Sequence, residues 1–345
     1  MSRRLLPLLL LLSLLAGAGA YAVWRLLYRP APTPSPDGDA YLYIRTGASF
    51  RAVLDSLNRP ALLRDSAAFR WLAEWRGYPG RVRAGRYRLA PELGNLALLR
   101  RLENGEQDTI QLEIKPFQYL SALPRRVAPH LETDSVALQE LLANNAGLLR
   151  RYGLDTATVR TLFLPGTYAL VWNTGARALL DTFAARHRRF WTPVRRARAD
   201  SLQMSPVQVS ILASIVQRET AAPADKPLIA AVYLNRLRRG QPLQADPTLL
   251  WPQHALGTRR RVLNLDKKVD SPYNTYRHKG LPPGPITTPL PGSLDAVLRP
   301  AHNQNLFFCA RPDGSGLSDF AETFAQHKRN ARRYQRHLDS LGVKR

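Results

Sequence analysis

Residues Ser205–Thr220 read SPVQVSILASIVQRET, and the architecture of the C-terminal part turns on this stretch. Ser205 followed three residues later by Gln208 is a capping box, and Pro206 takes the first helical position, so a helix starts here. Leu212, Ile215 and Val216 form an apolar stripe, and Glu219 continues it. Burying an unpaired carboxylate costs several kcal/mol unless the group is protonated. A carboxyl kept protonated near neutral pH is what a general acid requires. The same spacing also suits a glutamate just past the helix end, solvated or paired with Arg218 or Arg236.

Downstream, Asp225 can cap a second helix that stops at Gly240, with Leu228, Ala231 and Val232 inward and Asn235 on the same stripe. An amide facing a core needs partners, so Asn235 either satisfies local backbone or lines a site. In Gln244–Thr248 (QADPT), Asp before Pro is an ordinary helix start. Ser271–Tyr276 (SPYNTY) and Gly280–Ile286 (GLPPGPI) are stiff loops rich in aromatic and amide groups. Such loops suit sugar rings and hydroxyl pairs, although they also occur without a ligand.

Upstream, Tyr41–Arg45 alternates as a strand, and Ser49 can cap a helix with Phe50, Val53, Leu54 and Leu57 on one face. Asp65 can cap another helix, with Phe69, Leu72 and Ala73 inward and Gly77 closing it. Gly85–Leu89 (GRYRL) reads as a return strand, and Asn95–Leu102 as a further short helix. This strand–helix–helix–strand order resembles a LysM-like module, a fold used to hold N-acetylated glycans; a small structural domain has the same order. Thr109–Lys115 alternates as a strand, Asp134–Ala143 and Thr174–Trp191 read as helices, and the Pro-Gly pair of Phe163–Tyr168 (FLPGTY) marks a turn.

At the N-terminus, Leu5–Trp24 carries no charge, and 20 helical residues span about 30 Å, a bilayer's hydrocarbon core. Arg3 and Arg4 favour a cytoplasmic N-terminus. A cleaved signal peptide is the competing reading, with Ala16–Ala18 or Ala18–Ala20 as the cleavage site, but the uncharged run continues past both. Either way the remainder is exported. Pro30–Asp39 reads as an extended Pro-rich spacer.

The 345 residues suffice for about two domains. The single Cys309 excludes an internal disulfide, and no metal-ligand spacing, P-loop or GxSxG pattern occurs. No cofactor and no metal are therefore expected. The net charge of +24 is mostly arginine spread along the chain. Without a clustered basic helix or an RNA-binding signature, it is weak evidence for nucleic acid; it suits an acidic polymer or an anionic membrane surface as well, and equally arginine standing in for lysine on solvated faces.

Taken in order, ILASIVQRET (Ile211–Thr220), VYLNRL (Val232–Leu237), LQADPT (Leu243–Thr248), PYNTY (Pro272–Tyr276) and GLPPGP (Gly280–Pro285) resemble the endolytic murein transglycosylase, or YceG-like, family. The resemblance covers nearly the whole chain. It implies an α+β protein with a cytoplasmic tip and transmembrane anchor over 1–29, a spacer over 30–39, a LysM-like βααβ module over 40–105 and a catalytic domain over 106–345. It implies a lytic transglycosylase at the outer face of the cytoplasmic membrane. There it would cleave the β-1,4 bond between N-acetylmuramic acid and N-acetylglucosamine of nascent peptidoglycan strands, leave 1,6-anhydro ends and so terminate polymerisation. Cell-wall synthesis proteins are possible further partners.

The family's catalytic glutamate falls on Glu219, and Asn235, Gln244, Asp246, Tyr273 and Asn274 match positions expected to line the substrate cleft. The sequence departs from the family pattern at Gln217, where many relatives carry an acid, at Gly166, where Asp or Asn is frequent, and at Ser318, where relatives commonly have His. A hydrolytic muramidase using Asp246 to activate water, with a carboxyl spacing of roughly 5–9 Å, is one alternative. A catalytically silent peptidoglycan-binding scaffold is the other.

Overall fold

The chain is seen in a computed structural model that describes residues 5–33, 40–58, 62–143, 150–251 and 262–342. Residues 34–39 of the Pro-rich stretch, and Arg3 and Arg4, lie outside the described residues. The elements form a mixed α+β fold in two units. One unit comprises residues up to Leu112 with Ala128–Asp134 and Tyr168–Gly175; the remainder forms the other.

The first unit opens with α1 (Leu5–Tyr28). Its residues Leu9–Tyr28 are mostly apolar, with Arg25 the one charged side chain, and unburied; 20 residues are long enough to cross a bilayer, so α1 is compatible with a single-pass anchor. Strand β1 (Ala40–Ile44) is followed by α2 (Phe50–Asn58), α3 (Ser66–Trp75), β2 (Gly85–Leu89) and α4 (Asn95–Asn104). The two strands pair antiparallel from Ala40↔Leu89 to Ile44↔Gly85. Period-two alternation turns Leu42, Ile44, Tyr87 and Leu89 inward, onto Val53, Leu57, Phe69, Leu72, Leu98 and Leu102 of the helices. Asp65 caps α3 by accepting from the Ala68 amide at 3.0 Å, and Gly77 follows the helix at φ 69°.

The segment after α1 is tied down. The Ala31 amide donates to Leu93 O at 2.8 Å, its carbonyl accepts from Arg64 N at 2.8 Å, and Thr33 N donates to Leu62 O at 2.9 Å. The end of α1 meets the start of α4, where the Asn95 amide donates to Leu26 O at 2.9 Å. A Cβ at Gly94 would stand 2.6 Å from Leu27 O, so glycine permits this approach.

Strand β3 (Thr109–Ile114) begins in the first unit and leads to α5 (Ala122–Val127) and α6 (Ser135–Ala143) of the second. Strand β4 (Gly166–Val171) pairs with β3, and the chain passes between the units along both strands. Helices α7 (Ala176–Phe190), α8 (Pro193–Ser201), α9 (Pro206–Glu219), α10 (Lys226–Arg238), α11 (Asp246–Leu249) and α12 (Pro291–Leu298) follow. An antiparallel pair, β5 (Phe307–Ala310) and β6 (Ser318–Ala321), and a basic helix, α13 (Phe324–Ser340), complete it.

The capping box at Ser205 and Gln208 is present, with contacts of 2.8 and 3.2 Å. The apolar stripe expected of α9 is instead burial on every side, from Val209 to Val216, because α9 packs against both α10 and α12. Its serines satisfy themselves: Ser210 Oγ donates to Pro206 O at 2.8 Å and Ser214 Oγ to Ile211 O at 2.7 Å. Helix α10 is likewise buried throughout Ile229–Asn235.

Three local expectations need correction. Asp225 precedes α10 with helical φ/ψ and makes no side-chain cap, so only its carbonyl serves the helix. In α11 the cap position falls to Ala245, and Asp246 is the first helical residue. The Pro-Gly pair of FLPGTY opens β4 directly. Gly166, at φ 139°, leaves room for Arg186, whose Nη2 would stand 2.3 Å from any Cβ there.

Candidate active site

Glu219 is the last residue of α9, and the chain turns extended at Thr220. Helix α10 runs back beside α9 and brings the Tyr233 hydroxyl to Glu219, donating to Oε1 at 2.5 Å. Both groups border a cleft of 370 Å³. Its polar side carries Arg236, Gln244, Asp246 and Tyr276, and its aromatic side Phe307, Phe308, Phe324 and His327.

Burial pushes the Glu219 carboxyl up to about 7, the Asp246 charge adds to that, and the Tyr233 hydrogen bond works against it. Glu219 therefore carries its proton over much of the neutral range. The alternative pairing with Arg236 is not what the structure shows. Arg236 donates to Leu306 O at 2.7 Å, to Leu243 O at 2.8 Å and to Gln244 Oε1 at 3.3 Å, and so frames the cleft wall.

Asp246 is exposed and accepts from Tyr276 Oη at 2.5 Å. Burial, then Asp246, drives the Tyr276 phenol far above its ordinary value, so it remains a donor. Gln244 takes φ 55°, a left-handed backbone uncommon outside glycine. Its amide donates to Thr275 O at 3.0 Å, which holds the strained residue at the cleft edge.

Of the residues proposed from sequence, Glu219, Gln244 and Asp246 thus share one cleft. The other three do not line it, and each has a structural use. Asn235 is buried and donates to Asn303 O and Asn305 O, both at 3.0 Å, fastening the segment before β5. Asn274 is buried and donates to Lys267 O at 3.1 Å and Val269 O at 2.7 Å. Its Oδ1 accepts from the Tyr276 amide at 3.0 Å, so it sets the backbone that delivers Tyr276. Tyr273 packs on Trp251, with ring centroids 5.9 Å apart. The GLPPGP loop is held from behind: Arg160 donates to Pro285 O at 2.6 Å, and a Cβ at Gly284 would lie 2.2 Å from Ala157 O.

Departures from the family pattern fall outside the cleft lining. Gln217 Oε1 accepts from Leu290 N at 2.7 Å and Ser293 Oγ at 3.0 Å, tying α9 to the start of α12. Ser318 is buried in β6, opposite Ala310. Helix α13 brings a histidine to the cleft, His327, which stacks on Phe307 with centroids 5.3 Å apart. Burial and the neighbouring Arg236 lower its pKa and so favour the uncharged ring.

The sequence did not single out Tyr233, Tyr276 or His327 as lining a site, and it offered Arg236 only as an ion-pair partner for Glu219. The tyrosines stood inside the quoted VYLNRL and PYNTY motifs, and a buried phenol needs a partner, which is a usable signal. Nothing local marked His327.

A mixed α+β fold that sets one half-buried carboxylic acid, its pKa raised by burial, in an aromatic-walled cleft defines the class of protein. The model of the YceG-like family matches residues 42–333, and the chain belongs to that family. Similar proteins include the endolytic murein transglycosylase of Bacillus subtilis, 26% identical over 333 residues, or 92% of this chain and 90% of that protein. That of Streptococcus pneumoniae is 24% identical over 355 residues, or 93% of this chain but 63% of that protein. The fold is similar to the crystal structure of a yceG-like protein from Listeria monocytogenes, with TM-score 0.54 and 22% identity over 85% of this chain and 99% of that one.

Proposed function

We propose that this protein is an endolytic peptidoglycan lytic transglycosylase with Glu219 as its catalytic acid. The observation that carries the reading is the Glu219 carboxyl, raised to about 7 at the edge of an open cleft and held by Tyr233. Glu219 protonates the glycosidic oxygen while positive charge develops at C1 of the muramic acid. The resulting carboxylate then accepts the proton of that sugar's C6 hydroxyl, whose oxygen attacks C1 and closes a 1,6-anhydro ring. One acid suffices, because the nucleophile is intramolecular and has a high effective concentration. Tyr233 steadies the carboxyl in both halves of the cycle. Gln244, Asp246 and Tyr276 offer donors and acceptors to sugar hydroxyl and N-acetyl groups, and the aromatic wall offers ring faces.

The parent polymer is the nascent peptidoglycan strand, cleaved between N-acetylmuramic acid and N-acetylglucosamine, so that polymerisation ends there. Helix α1 anchors the chain in the cytoplasmic membrane with the residues that follow it on the outer face, where cell-wall synthesis proteins are accessible. Residues 40–105 act as a LysM-like glycan-holding module and 106–345 as the catalytic domain.

Hydrolysis is the second reading, because Asp246 borders the same cleft and its charge is felt by Glu219. Mass spectrometry of uncrosslinked strands digested by the full chain separates the two. Ends in 1,6-anhydro-muramic acid are expected; reducing muramic acid ends overturn the transglycosylase in favour of a hydrolase using Asp246. Retained strand binding with no cleavage leaves only a scaffold.

A further inference from the structure

The chain leaves α1 along a charged stripe. Tyr21, Arg25 and Arg29 follow one another at four-residue intervals, about 6 Å apart along a helix axis, and all three line a pocket of 500 Å³ within the first unit. Arg64, Asp65 and Asn95 close its other side.

Two observations set the level and the charge of this pocket. Tyr21 stacks on Trp24 with ring centroids 6.1 Å apart, and both rings are exposed. Exposed Tyr and Trp at the end of an apolar helix mark the boundary between acyl chains and headgroups, so Arg25 and Arg29 stand at the level of the lipid phosphates. Three arginines and a single acid, Asp65, line the pocket, and Asp65 Oδ1 already accepts from the Ala68 amide at 3.0 Å. Among the described residues, neither the Arg25 nor the Arg29 side chain has a hydrogen-bond or ion-pair partner. The walls are nonetheless held by the protein itself. Asn95 Nδ2 donates to Leu26 O at 2.9 Å, and Arg64 Nε donates to Pro32 O at 3.4 Å.

We infer that this pocket binds the headgroup of an anionic phospholipid whose phosphate carries an uncharged, hydroxyl-bearing group, as in phosphatidylglycerol. Arg25 and Arg29 take the phosphate oxygens, since a planar guanidinium matches two of them at once, and Arg64 adds to the attraction. The second Asp65 oxygen accepts a headgroup hydroxyl. Choline and ethanolamine headgroups each bring a cation to a wall that already carries three, so they fit less well. The inference rests on the proposed function for α1 as a membrane helix. On the outer side of the membrane two arginines run against the usual charge bias of such helices, and a bound anionic headgroup supplies their counter-charge. The lipid would then hold the first unit at the membrane surface.

The test is native mass spectrometry of the full chain, placed in nanodiscs of phosphatidylglycerol, phosphatidylethanolamine and phosphatidylcholine in equal amounts and then released into detergent. Phosphatidylglycerol should stay bound, enriched roughly fivefold or more over each of the others. Arg25→Gln with Arg29→Gln should return retention to the bulk ratio. Arg51→Gln with Arg100→Gln removes two exposed charges of the same unit outside the pocket and should leave the enrichment in place. Bulk-ratio retention by the parent, or equal loss in the two double variants, overturns the proposal. Millimolar glycerol phosphate should not displace the lipid; displacement would make the pocket a site for free phosphate and overturn it as well. Flotation with neutral phosphatidylcholine vesicles checks the anchor separately. A parent that floats without retaining phosphatidylglycerol fails at the pocket alone, and one that does not float fails at the anchor.

Discussion

Two helix ends meet one cleft and treat their carboxylates differently. Helix α9 stops at Glu219, three residues past a run of eight consecutive buried residues, Val209–Val216, and the half-buried carboxyl sits at the edge of that core. Helix α11 begins at Asp246 on an exposed turn. Each carboxylate accepts a phenol at 2.5 Å, Tyr233 in one case and Tyr276 in the other. The hydrogen bonds are alike and the desolvation is not. Burial is the first cause that raises the pKa of Glu219, the carboxyl proposed as proton donor, and it sets that group apart from the exposed Asp246. The sharpest test of that contrast is Glu219→Gln, which keeps shape and removes the proton: strand cleavage should fall by about a thousandfold or more. Residual activity within tenfold of the parent would erase the contrast.

Enclosure also has a thermodynamic signature. A carboxyl raised from 4.5 to about 7 in the folded state binds its proton more tightly there than when unfolded. Its stabilising contribution is complete below about pH 4.5 and is lost as pH rises through 7, where the native carboxylate is ionised in a poorly solvated place. Glu219→Gln removes that penalty. The variant should gain on the parent between pH 5 and pH 8, by about 2–3 kcal/mol at most, as read from urea unfolding midpoints at each pH. A difference that does not vary with pH would place the carboxyl in water.

Tyr233→Phe sharpens the comparison from the other side. The phenol hydrogen bond lowers the Glu219 pKa, so its removal should raise that pKa further. The alkaline limb of kcat/KM is then expected to move to higher pH, while kcat drops about tenfold because the carboxyl is no longer oriented. A merely structural tyrosine would lower activity at every pH without moving the limb.

Much of this contrast could be read from residues in order, and the parts that could not have a common cause. The capping box and the position of Glu219 are local patterns, and the local rules that govern them hold in the fold. Asn235 and Asn274 match motif positions expected to line the cleft, and in the fold both bond to backbone carbonyls. Whether a buried amide faces a ligand or a backbone carbonyl depends on segments 68 residues away, as with Asn303, or on the fold of its own loop, as with Val269. Tyr233 shows the reverse. It lies 14 residues from Glu219, a separation that means nothing until two antiparallel helices pack. His327 arrives from the last helix, and the pocket beside the end of α1 brings Arg64 to Arg25 and Arg29, so both follow from topology alone. Periodicity also understated the core, because a helix packed on both sides has no single stripe.

The smallest effect is expected at Asp246, and it bears most directly on how the two carboxylates divide their work. If Asp246 only holds Tyr276 and offers an acceptor to sugar hydroxyls, Asp246→Asn retains an acceptor at the same place. It also removes a negative charge that raises the Glu219 pKa. Cleavage should then fall less than about fivefold, the products should still end in anhydro rings, and the alkaline limb should shift slightly to lower pH. If Asp246 instead activated water, the amide would abolish the base, with a loss of roughly a hundredfold or more. Glycan chain ends and the pH profile, measured on the same variant, therefore decide between a wall residue and a second catalytic group. Exposure and the Tyr276 hydroxyl that already occupies one Asp246 oxygen favour the wall.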